Sequence, residues 1–142
     1  MNSEILALSS AKPAIQIGET DFERLTGLAE AVVRRLPDLA EELLVELDRA
    51  DCVPADKLAP DVVRMGSTLT YTTDEHGPRH VTLVYPGDAD IALGRISILT
   101  PIGVALIGLA RGQSIEWLAR DGQRRRLTVL SVDNDALSTE SA

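Results

Sequence analysis

The run TPIGVALIG at residues 100–108 decides how the rest of the chain is read. Thr100 has the hydroxyl of an N-cap, and Pro101 suits the first helical position, where its missing N–H costs nothing. Gly112 lies where a C′ glycine is expected, so the pattern predicts a short helix over 101–111. The run is apolar nearly all round and must be covered on most sides. It stops at Arg111-Gly112, about half of the roughly 20 residues a membrane-spanning helix needs, so the cover is protein rather than lipid.

The flanks supply that cover. STLTYTT (67–73), HVTLVYP (80–86), GRISIL (94–99), QSIEWLA (113–119) and RRLTVLSV (125–132) alternate with period two and are rich in β-branched residues. DEHGP and PGDAD carry turn chemistry between them, and Asp121-Gly122 suits a two-residue type I′ hairpin. The expectation is an α+β domain over 65–133, one short helix cupped by an antiparallel sheet of about five strands.

Upstream the period changes to that of a helix. In TDFERLTGLAEAVVRRL (20–36), Thr20 and Glu23 form a capping-box pattern, and Phe22, Leu25, Leu28, Val32 and Leu36 trace one stripe that Pro37 stops. Asp38 and Glu41 repeat the cap pattern for a second helix, striped by Leu39, Leu43 and Leu47 and ending near Ala50. So short a connection predicts an antiparallel hairpin. The organisation expected is a leader (1–18, with AIQI extended), the hairpin (19–51), a proline-bearing linker (52–64), the α+β domain (65–133) and an acidic, fraying tail (134–142).

Composition narrows the function. At 142 residues and 44% hydrophobic the chain buries one modest core, and a net charge of -8 disfavours direct nucleic-acid binding. The lone Cys52 and an N-terminus without a basic, long-apolar signal fit a cytoplasmic protein.

GRISILTPIGVALIGLARGQSIEW (94–117), with ELDRADCVPADKLAPDVVRMGS upstream, resembles the C-terminal domain shared by the Gre transcript-cleavage factors and the Rnk family, the regulators of nucleoside diphosphate kinase. Gly103, Leu109 and Trp117 lean toward Rnk, whereas GDADIALGRIS leans toward Gre. The resemblance covers roughly residues 15–132. It implies an FK506-binding-protein-like fold for 65–133 after a short antiparallel coiled coil. It also implies a monomer that binds RNA polymerase at the mouth of its secondary channel, with no cofactor, metal or membrane. The Gre residues tied to polymerase binding match Leu99, Thr100 and Pro101, although Leu99 stands where some Gre proteins place an acid.

Other motifs each carry a plainer reading. Gre factors use an acidic pair at the tip of a long coiled coil to help hold a second catalytic Mg2+. Asp38 and Glu41 sit near the expected tip, but a helix of about 15 residues is only about 22 Å long, and a capping pair accounts for both. His76 and His80 beside Asp74 and Glu75 read as loop residues rather than ligands. Arg124–Arg126 alternate faces along a strand, and Trp117 reads as core. Cys52 has little basic company. Three functions follow: a non-enzymatic regulator that competes with Gre factors, a Gre-like cleavage factor using Asp38 and Glu41, or a prolyl isomerase. One Phe, two Tyr and one Trp cannot readily line a prolyl pocket.

Overall fold

The computed structural model describes residues 13–75, 77–118 and 121–134. It is α+β with short N-terminal helices and a mixed sheet. Strand β1 (Gln16–Gly18) runs directly into helix α1 (Glu19–Val32), and helix α2 (Pro37–Arg49) leads into strand β2 (Asp51–Val53), which pairs in parallel with β1. The sheet proper has the order β5-β4-β3-β7-β6, where β3 is Thr68–Thr73, β4 Arg79–Val84, β5 Arg95–Ser97, β6 Ser114–Leu118 and β7 Arg124–Asp133. Helix α3 (Pro101–Leu106) lies between β5 and β6 in sequence. No helix among the described residues is long and apolar enough to cross a membrane.

All five expected strands form, and their alternation sends Leu69, Tyr71, Val81, Leu83, Ile115, Leu127 and Val129 into the core. The other face is knitted by cross-strand hydroxyl pairs, Thr68 with Thr82 at 2.9 Å and Ser114 with Thr128 at 2.7 Å. One expectation changes: β5 pairs with β4 in parallel, because the chain crosses over through the tight turns of 85–94 instead of reversing in a hairpin. β6 and β7 do form a hairpin. Asp121 is not at positive φ, so the turn is not type I′; Asp121 Oδ1 accepts from the Gln123 N–H, and Gly122 takes φ +82°.

Both N-terminal caps differ from the pattern. Gly18 ends β1 and is the N-cap of α1, which places Thr20 already inside the helix. Leu36, at φ -133° and ψ 64° and so outside the helical region before Pro37, is the N-cap of α2, with Asp38 in its first turn and no side-chain cap. Pro37 therefore starts α2, while α1 stops at Val32, and the helices pack against each other across the turn 33–36. Their buried faces centre on Leu25, Ala29 and Val32 and on Ala40, Leu43 and Leu47.

Helix α3 begins as read. Thr100 Oγ1 accepts from the Gly103 N–H at 3.0 Å and donates to the Ser97 carbonyl at 2.7 Å. It ends earlier, at Leu106, where Gly108 follows at φ +84°; Gly112 is left-handed as well, at φ +86°, but in a later turn that the Gln113 N–H closes onto Ala110 O. The Gly108 N–H goes to Val63 O (2.9 Å), and the Val63 N–H to Leu109 O (2.7 Å), drawing residues 58–66 and the chain after α3 together. Val62 and Val63 are buried, and one apolar cluster runs from Leu25 and Leu43 of the helices through α3 to the sheet. Asn134, expected to fray, is buried: its Nδ2 donates to Pro60 O and Val62 O at 3.0 Å each, and its Oδ1 accepts from Ser67 Oγ.

Gly103 and Gly27 give opposite expectations. A Cβ at Gly103 would fall on the Ser97 carbonyl oxygen and within 2.9 Å of Ile98 Cα, backbone that cannot retreat. Gly103→Ala should cost about 1–3 kcal/mol in urea unfolding. Gly27, exposed in α1 with nothing within 4 Å, should gain about 0.5–1 kcal/mol as Ala. A neutral Gly103→Ala would contradict this packing.

Candidate functional site

The Thr100 cap sets the surface around Pro101. Ser97 Oγ accepts from the Leu99 N–H at 2.9 Å, so the turn 97–100 is held from both ends and presents Pro101 half-buried at the head of α3. Thr100 is half-buried as well, its hydroxyl committed to the cap, and Leu99 packs against the core.

Two grooves meet at Pro101 and Trp117, which line both. One, of about 460 Å³, lies between α2 and the α3–β6 surface. Asp38, Glu41 and Glu42 of α2 and Glu116 of β6 line it with carboxylates over Val104, Ala105 and Ile115, and Arg124 supplies a positive charge. The second, of about 620 Å³, is more apolar, with Ile91, Ile96 and Ile102 among its lining. Its edge is a tight turn: Asp90 Oδ1 caps the 3-10 segment Ile91–Leu93 through the Ala92 N–H, and Gly94 closes it at φ +73°. That turn leaves Ile91 87% and Leu93 62% exposed. The capped turn thus holds two large apolar side chains out into solvent beside this groove.

Asp38, Glu41 and Pro101 thus come together around one groove, and Thr100 and Pro101 border the other; Leu99 lines neither. The capping-pair reading of Asp38 and Glu41 does not hold, since neither bonds the helix end through its side chain. Sequence reasoning missed Ile91 and Leu93, although apolar residues at 91 and 93 between a capping Asp and a glycine were a readable signal. Trp117 is half-buried and packs against the core, and its indole N–H is shielded with no hydrogen-bond partner among the described residues.

The remaining candidates go elsewhere. His80 is exposed and shares a hydrogen bond with Thr70 Oγ1 at 2.9 Å, while His76 lies outside the described residues. Arg125 pairs with Glu75 and Asp121, Arg124 faces the acidic groove, and the Arg126 N–H donates to Asp74. Desolvation and the charges of Glu19, Asp51 and Glu23 push the Cys52 thiol up, away from thiolate chemistry.

A separate cluster holds α1 to the sheet. The Asp21 carboxylate accepts from the Met65 N–H at 3.2 Å and from Tyr85 Oη at 3.3 Å, and the Arg24 guanidinium lies 4.1 Å from the Tyr85 ring centroid. Burial raises the Asp21 carboxyl above its ordinary range against the pull of these partners. Burial and the adjoining carboxylate push the Tyr85 phenol up to about 12.

A family model described as "Transcription elongation factor, GreA/GreB, C-term" matches residues 58–134, and one described as "Rnk N-terminus" matches residues 13–53. The chain is 34% identical over 124 residues to the regulator of nucleoside diphosphate kinase of Escherichia coli (strain K12), covering 87% of this chain and 91% of that protein. It is 40% identical over 86 residues to transcription elongation factor GreA of Rhodospirillum rubrum, covering 59% of this chain and 54% of that one. A solved structure titled as a prokaryotic transcription elongation factor GreA/GreB from Nitrosomonas europaea is 38% identical with a TM-score of 0.68, covering 84% of this chain and 98% of its own.

The Asp21–Tyr85 contact fixes a pH dependence. The folded chain holds the Tyr85 proton to about pH 12, whereas an unfolded chain releases it near pH 10. The resulting stability is full below about pH 10 and falls as pH rises toward about 12. Burial raises the Tyr71 phenol too, so ultraviolet titration should show both tyrosines ionising late, and Tyr85→Phe should remove one of the two late ionisations. The raised Asp21 pKa has the same sign: its contribution is present below the ordinary carboxylate range and lost as pH rises through the folded value. Asp21→Asn should therefore unfold at a higher temperature than Asp21→Ala at neutral pH, since the amide oxygen still accepts one bond without a buried charge. Equal midpoints would remove the clamp.

Proposed function

The chain belongs to the Rnk/GreA-GreB family, a family of non-enzymatic, transcription-associated regulators, and from that premise we propose that it binds RNA polymerase near the secondary channel and competes there with Gre-type factors. The observation that supports this most is the surface around Pro101, where a rigid cap, an apolar groove and two exposed apolar side chains sit in the segment that matches the GreA/GreB model. On this reading the sheet and α3 form an FK506-binding-protein-like domain, and α1 and α2 form the short coiled coil. The protein acts in the cytoplasm as a monomer, without a cofactor and without contacting nucleic acid itself. The name of the Escherichia coli relative adds regulation of nucleoside diphosphate kinase to the reading.

The helices support competition without cleavage. At 13 residues α2 is about 20 Å long, and Asp38 and Glu41 line a groove against α3 instead of standing free beyond the body of the protein. Carboxylates so placed do not deliver a metal ion to a distant active centre. A Gre-like cleavage factor is the second reading; it draws on the Asp38 and Glu41 pair and on the match to the GreA/GreB model.

The chain should co-purify with core RNA polymerase and be displaced by an added Gre factor. Pro101→Ala should weaken that binding while the thermal midpoint stays near wild type, because a first-turn proline contributes no helix hydrogen bond. In stalled elongation complexes the wild-type chain should suppress Gre-stimulated transcript cleavage and stimulate none itself. Metal-dependent cleavage by the chain alone, lost on replacing Asp38 and Glu41 by Ala, would establish the second reading instead.

A further inference from the structure

We infer that the groove between α2 and the α3–β6 surface is a docking site for a protein segment in which basic residues alternate with large apolar ones. For the identity of the partner this rests on the polymerase reading; for its chemistry it rests on the groove alone. Asp38 and Glu41 are exposed along one side, with Glu116 across from them, and Arg124 is the one cation among the residues lining the groove. Beneath lie Val104 and Ala105, and Val45 stands 48% exposed on the same face of α2 as the acids.

That combination selects its occupant. A metal ion would need converging oxygen ligands, and no group of three metal-ligating side chains exists among the described residues. A nucleic-acid backbone is repelled by the carboxylates. A polypeptide with Arg or Lys toward α2 and Leu-like side chains toward Val45, Val104 and Ala105 satisfies both the charge and the apolar floor. The groove, at about 460 Å³, is within the range that holds a few side chains rather than a whole domain.

Trp117 is the only tryptophan in the chain and lines the groove, so its fluorescence reads occupancy. The probe is a short synthetic peptide alternating Arg and Leu, with controls carrying Ser for Leu and Glu for Arg. The full chain should show a saturable shift of Trp117 emission with the Arg-Leu peptide alone, weakened by salt. Asp38→Asn with Glu41→Gln should weaken binding about tenfold. Glu30→Gln with Asp48→Asn removes the same charge at exposed positions outside the groove and should leave binding unchanged. No saturable shift, equal binding of the Glu-Leu peptide, or equal loss in both double variants overturns the inference. Self-association in sedimentation, abolished by Asp38→Asn with Glu41→Gln, would assign the groove to a second copy and overturn it too. Polymerase binding without a peptide response removes the groove proposal alone, and a peptide response without polymerase binding removes the polymerase reading alone.

Discussion

The backbone of residues 106–112 is the strand of hydrogen bonds from which the rest hangs. Gly108 O accepts from the Gln16 N–H, the Gly108 N–H reaches Val63 O, and Leu109 O takes the Val63 N–H. Two residues on, the Arg111 N–H donates to Asp61 O and the Gly112 N–H to Val129 O. One short segment therefore ties together the strand before the helices, the segment after them and the long strand β7. It needs glycine at 108 for two reasons at once: φ is +84°, and a Cβ would sit 2.8 Å from Ile15 Cβ. The apolar side chains of the same region, Leu106, Ile107 and Leu109, are buried and join the helical pair to the sheet in one core.

A second set of contacts keeps the helices seated. Asp21 and Arg24 of α1 engage Tyr85 and the Met65 N–H, while Arg49 at the end of α2 pairs with buried Glu46 and donates to Pro13 O at 2.5 Å. Burying the Asp21 carboxylate carries a desolvation cost that its partners only partly offset. The return is orientation, because these contacts tie α1 to Tyr85 and to the backbone ahead of β3.

Features governed by neighbouring residues were legible in the sequence, and features governed by distant ones were not. Strand alternation is local, and so is the Thr100-Pro101 helix start, whose donor and acceptor lie three residues apart. The N-terminus of α1 was misjudged because β1 enters the helix without a break and Asp21 is drawn to a backbone group 44 residues away. Gly108 and Gly112 were equally good stops for α3 by composition, and the bond to Val63 O chose between them. The parallel entry of β5 depends on a crossover that no periodicity records. Of the candidate site, Thr100 and Pro101 were readable from resemblance, whereas the two grooves draw on α2, the turn at 86–95, α3 and the β6–β7 hairpin and exist only after folding.

Pro101 and Trp117 belong to both grooves, so the two surfaces share a wall. The wall opposite them in the acidic groove is α2, whose position is set by Leu43 and Leu47 in the core and, through α1, by the Asp21–Tyr85 contact. The separation between Glu41 and Trp117 therefore depends on the interior and on the far side of the helical pair. A short helical pair that cannot extend outward is in this way put to use as one side of a surface, with its carboxylates turned toward the domain it packs on.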